Sequence, residues 1–132
     1  MISRYLTAAL ALFYLANGLR MLWDPASWYA AIPGIEATGP LNPHFIRDIA
    51  FSYVVAAAAG GVAVWRWAQA APWLIAAAAW PALHGAAHVA EWIAHGVPPT
   101  AAFIAEGGGV VLPALLGAVI AIHVARNPSH GM

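Results

Sequence analysis

Residues 72–94 read PWLIAAAAWPALHGAAHVAEWIA, a segment long enough to cross a bilayer yet carrying His84, His88 and Glu91, with His95 directly after it. These four polar residues recur at steps of four, three and four, which places them on one face of a helix. Imidazoles and carboxylates within an apolar span are costly and turn toward other protein. The segment therefore reads as one helix of a bundle with a buried polar stripe. A shorter stripe of the same spacing, His44, Asp48 and Ser52, opens the apolar segment before it.

The rest of the chain fits that reading. Of 132 residues, 63% are hydrophobic and 8% charged, whereas soluble domains carry about 25% charged residues. Five Arg and Lys residues balance five acidic ones, so no basic face is available for nucleic acid, which is excluded as a partner. There is no cysteine, which removes disulfides, thiolate metal sites, iron–sulfur clusters and a cysteine nucleophile.

The expected fold is a single all-α domain over residues 1–132, a polytopic membrane protein with four antiparallel transmembrane helices. The spans fall at 3–22, 44–64, 72–94 and 100–124, each near the ~20 residues that cross the hydrocarbon layer. The lipid bilayer is thus the first partner. Ala16-Asn17-Gly18-Leu19-Arg20 offers no small-residue cleavage site, so the first segment reads as a span and not as a leader. Residues 23–43, marked by Pro25, Pro33, Gly34, Gly39, Pro40 and Pro43, form a long loop able to fold over one end of the bundle. Asn42 is placed to cap the second span. Arg4, Arg66 and Arg126 share one side in this topology, which makes that side, and both termini, cytoplasmic. Pro81 and Pro113 lie inside spans, where each frees a carbonyl and permits a bend. His130 reads as a tail residue.

At about 1.5 Å per residue, position along a span converts to depth below the outer boundary. Arg20 lies near ~3 Å, Glu91 ~5 Å, Asp48 ~6 Å, Asn17 ~8 Å, His88 and Glu106 ~9 Å, Ser52 ~12 Å and His84 ~15 Å. With His44 and Arg47, these residues form one polar layer fed by all four helices. Glu106, before Gly107-Gly108-Gly109, is a lone acid at a depth that demands a partner.

Several chemistries are open to such a layer. The leading one is a transition-metal site (Zn, Fe, Mn or Cu) with His84 and His88 as ligands. Asp48, Glu106 or His44 would complete it, and Glu91, Arg47, Asn17, Arg20 and Ser52 would support it from behind. A proton-responsive or small-ligand pocket without metal uses the same groups, because histidine titrates near neutrality. A third reading is an accessory or structural protein whose polar layer locks the helices, holds a homo-oligomer together or docks a membrane partner. Two imidazoles facing each other across a bundle could also hold a b-type haem. No residue identifies a reaction, so whether the chain is an enzyme stays open.

The Arg47-containing start of span two, the turn His95-Gly96-Val97-Pro98, and Glu106 followed by Pro113 resemble features of small four-helix bacterial membrane proteins of the DoxX-like group. The resemblance covers spans two to four. It implies a compact bundle in a bacterial cytoplasmic membrane and carries no activity or functional residue with it.

Overall fold

The computed structural model describes residues 1–127, so His130 lies outside the described residues. Every regular element among them is helical. Helix α1 runs Ile2–Trp23, the short α2 Pro25–Ala31, α3 Pro43–Trp65, α4 Ala70–His95, α5 Thr100–Glu106 and α6 Leu112–Arg126. A π-helical turn, Gly107–Val111, joins α5 to α6, and single 3-10 turns lie at Ile35–Thr38 and Trp67–Gln69.

Local chemistry sets the boundaries. Asp24 ends α1 and starts α2, where its side chain accepts from the Ser27 amide and Pro25 occupies the first turn, a position that needs no amide donor. Asn42 does the same for α3, accepting from the His44 and Phe45 amides at 3.1 Å each. Helix α4 ends at Gly96, whose φ of 90° lies in a region open chiefly to glycine. In the π turn the Leu112 amide reaches back to the Gly107 carbonyl, five residues earlier. Three glycines tolerate this widened geometry, and Pro113 has no amide with which to restore the regular ladder.

The four long helices pack in the order α1, α3, α4 and α6, and contacts between α1 and α6 close the ring. Short links make α3 antiparallel to α4, and α4 antiparallel to the rod Thr100–Arg126. One end of the bundle, the terminal end, carries the start of α1 and the end of α6; there the Arg4 Nε donates to the Val64 carbonyl at 3.1 Å. The other, the loop end, carries residues 24–42 and 96–99. One buried cluster contains Tyr14, Met21, Ile46, Ala50, Tyr53, Ala56 and Ala57. A second, nearer the terminal end, contains Ala63, Ala70, Leu74, Ala78, Ile120, Ala121 and Val124. Alanine dominates because the helices approach closely. A Cβ on Gly18 would sit 3.0 Å from the Ala50 carbonyl, and one on Gly85 would sit 2.9 Å from the Ala114 Cβ.

The long loop is an ordered cap. Trp28 donates its indole N–H to Asn17 Oδ1 at 2.9 Å, and the Tyr29 hydroxyl donates to the Gly39 carbonyl at 2.6 Å. Gly34, at φ 78°, rests against Ala102 so closely that a Cβ there would come within 2.7 Å of the Ala102 Cβ. The loop therefore leaves α1 and reaches α5, one turn from Glu106.

Helices α1, α3 and the rod Thr100–Arg126 are long and apolar enough to cross a membrane. Helix α4, with 26 residues, is as long but is not one of these three; Pro72, Trp73, Trp80, Pro81, His84 and His88 interrupt its run of aliphatic residues.

Candidate functional site

A row of four side chains at four-residue steps, Trp80, His84, His88 and Trp92, runs along α4 toward the loop end. Trp80 and His84 stack with centroids 4.8 Å apart and planes 17° from parallel. His88 meets His84 edge-on at 4.9 Å. Steps of four form a continuous ridge on a helix surface, and other helices supply its partners. Tyr53 of α3 packs edge-on to Trp80 at 4.9 Å and lies 6.4 Å from His84. Tyr14 of α1 lies 5.6 Å beyond Tyr53. Phe103 of α5 packs on Trp92 at 5.0 Å.

The loop-end terminus of this row is Glu106. Its Oε2 accepts the Trp92 indole N–H at 2.7 Å and lies 3.2 Å from His88 Nδ1. Glycine at position 85 makes this possible, because it lets α4 settle directly against Ala114 and the backbone of Val111. His88 and Glu106 keep 20% and 24% of their side-chain surface exposed, so the pair is shielded but still reachable. When the carboxylate is ionised it only accepts hydrogen bonds, so the contact then requires the His88 proton on Nδ1 and leaves the Nε2 lone pair outside it. A histidine oriented in this way is equipped to take up a proton or to bind an electrophile.

The structure thus brings together three residues of the predicted layer, His84, His88 and Glu106. The others lie elsewhere. His44 and Asp48 pair with each other at 3.5 Å on the exposed first turns of α3, with 89% and 57% of their side chains in the open. Ser52 Oγ donates to the Asp48 carbonyl. Arg20, Arg47, Glu91 and His95 are exposed. Asn17 serves the cap, accepting from Trp28 and donating to the Met21 sulfur at 3.7 Å. Among the described residues no group of three His, Asp or Glu side chains is arranged to hold a metal ion.

Four participants went unnoticed in the sequence: Trp92, Trp80, Tyr53 and Tyr14. The first two did leave a signal. They extend the His84/His88 step of four by one turn in each direction, whereas Glu91 breaks that step and faces out. Tyr53 and Tyr14 belong to other helices, and spacing within α4 carries no information about them. No family model matches the chain, and comparison with curated proteins and with solved structures likewise gives no match.

Proposed function

We propose that this chain is a four-span protein of a bacterial cytoplasmic membrane, with both termini inside, and that Glu106 and His88 form a proton-responsive site in the outer half of the bundle. Two features support α4 as the fourth span. It has 26 residues, about 39 Å at 1.5 Å per residue, more than the ~30 Å of hydrocarbon. Its outward side chains include Ile75, Leu83 and Ile93, which are 55%, 74% and 82% exposed. Apolar groups in that position suit lipid far better than water. The bacterial setting rests on the DoxX-like features, and the orientation on Arg4, Arg66 and Arg126 at the terminal end.

The observation that carries the functional reading is the shared Glu106 Oε2. The Trp92 indole and the His88 Nδ1, on successive turns of α4, converge on one carboxylate oxygen, an arrangement that supports an Nδ1-protonated His88 with Nε2 left to accept a proton. His84 continues the site inward. NMR of the protein with isotope-labelled histidine, in nanodiscs between about pH 5 and 9, tests this directly. The expected result is an Nδ1-protonated His88 at high pH that gains a second proton on acidification, with the tautomer preference lost in Glu106→Gln. A His88 protonated on Nε2, or one that never titrates, refutes the assignment.

A second reading starts from the same two imidazoles, whose separation is compatible with a shared ion as well as with ring packing. Two imidazoles bound to a single ion through bonds of about 2.0–2.1 Å hold their ring centroids about 5 Å apart, and those of His84 and His88 are 4.9 Å apart. These two residues would be the ligands of a Zn, Fe, Mn or Cu ion, with Glu106 orienting His88 from behind. Elemental analysis of protein purified without an affinity tag or chelator should then find near-stoichiometric metal that His84→Ala removes.

A further inference from the structure

The charges of this chain are sorted by end. Its five acidic side chains, Asp24, Glu36, Asp48, Glu91 and Glu106, belong to the loop, to the turns of α3 and α4 next to it, or to α5, whereas Arg4, Arg66 and Arg126 stand exposed at the terminal end. Two of these arginines are held in place. Arg4 Nε donates to the Val64 carbonyl at 3.1 Å, one of the last-turn carbonyls of α3, which a helix cannot pair from within and which form the negative end of its dipole. That bond uses one N–H and leaves both terminal guanidinium nitrogens able to donate. The Arg66 guanidinium lies over the Trp65 ring, 5.1 Å from its centroid, a contact that orients the cation and uses none of its N–H groups. Val64 and Arg66 are two residues apart, so both cations stand at one corner of the bundle, where α1 begins and α3 ends. Among the described residues neither is paired with a carboxylate. Guanidinium forks left without an anion match the oxygens of a phosphate.

The surroundings suit a lipid better than a free anion. Trp65 and Tyr5 are exposed beside the cations, as amphipathic rings are at headgroup level. Ala58, Gly61 and Trp65 follow one another at steps of three and four along one exposed face of α3. A Cβ on Gly61 would meet nothing within 4 Å, so the surface below the ring is shallow, apolar and open to an acyl chain. We infer that the corner formed by Arg4, Trp65 and Arg66 binds the phosphate of an anionic phospholipid, with Ala58 and Gly61 receiving one of its acyl chains. The inference rests on the four-span reading, which sets the terminal end at the negatively charged cytoplasmic leaflet. A net-negative headgroup is favoured over a zwitterionic one because the choline of the latter already neutralises its phosphate, whereas both cations here lack a counter-charge. A lipid held in this way ties the start of α1 to the end of α3.

The test is native mass spectrometry of the detergent-purified protein mixed with equal amounts of phosphatidylglycerol and phosphatidylcholine of the same acyl chains, which reads the ratio of the two bound lipids. Wild-type protein should hold phosphatidylglycerol in excess. An arginine beside anionic headgroups contributes about fivefold, so Arg4→Gln and Arg66→Gln should each cut the ratio by about that factor. Arg20→Gln and Arg47→Gln, exposed near the loop end, should leave it unchanged. Glycerol 3-phosphate, added at the concentration of the lipid, should displace none of it. Absence of a preference, a ratio unmoved by Arg66→Gln, an equal loss in Arg20→Gln or Arg47→Gln, or displacement by glycerol 3-phosphate overturns the lipid site. If Arg4→Gln does not fold, Arg66→Gln decides, because it removes no side-chain hydrogen bond among the described residues. Thr38→Cys and Gln69→Cys, made singly in this cysteine-free chain and labelled with a membrane-impermeant maleimide on intact cells and on inside-out vesicles, test the four-span reading separately. Labelling from opposite faces alongside an absent lipid preference sinks the lipid site alone, whereas labelling of both from one face sinks both readings.

Discussion

Removing Trp92 and Glu106 singly and together measures whether their contact holds α4 to α5. The bond is short, 2.7 Å from indole nitrogen to carboxylate oxygen, as charge-assisted hydrogen bonds are. In water-soluble proteins such bonds contribute about 1.5–3 kcal/mol. Polar contacts between membrane helices average only about 0.6 and reach about 1.7 kcal/mol. Glu106 keeps 24% of its side chain exposed, which allows solvent to compete, so we expect a coupling of about 1 kcal/mol. Trp92→Phe preserves the ring that packs on Phe103 and should cost about 1–2 kcal/mol, since the lost bond is joined by a small loss of buried surface. Glu106→Leu should cost more, because it leaves the Trp92 indole and His88 Nδ1 both without their acceptor. Unfolding in mixed micelles by added dodecyl sulfate, followed by circular dichroism, gives all four corners of the cycle. A coupling below about 0.3 kcal/mol falls within ordinary additivity and would mean that the carboxylate does not receive the indole.

Gly85→Ala should destabilise by about 1–3 kcal/mol in the same assay through overpacking, because its Cβ would press on the Ala114 Cβ at 2.9 Å and the Val111 Cα at 3.6 Å. Gly61→Ala, facing open space, should stabilise α3 by about 0.5–1 kcal/mol. Asn17→Ala removes the acceptor of the Trp28 indole; limited proteolysis should cut within residues 24–42 faster than in wild type, while the long helices keep their thermal transition. Gly34→Ala should give the same proteolytic signature, since it combines a positive φ with a 2.7 Å approach to Ala102.

The parts of this architecture that were legible from sequence are those governed by properties along the chain, and the parts that were not are governed by direction around each helix. Runs of apolar residues, the Asn42-Pro43 start and the Gly96 stop mark the ends of the long helices because each acts within a turn of itself. The Asp24-Pro25 pair carried the same kind of start signal for α2, hidden among the prolines and glycines that mark the segment as a loop. Depth is likewise a property along the chain, and it groups Glu106, His88 and His84 correctly with respect to one another. It also groups Arg20, Arg47, Asp48 and Glu91 with them, because depth says nothing about azimuth. Azimuth is set by tertiary contacts: Gly85 against Ala114 turns the four-step ridge of α4 inward, and the π turn after Glu106 re-phases α5 relative to α6. The sequence contains the causes of both, a glycine between two histidines and three glycines four residues before a proline. Their effect on direction depends on which helix lies opposite, so a polar residue's facing becomes readable only once the neighbouring helix is in place.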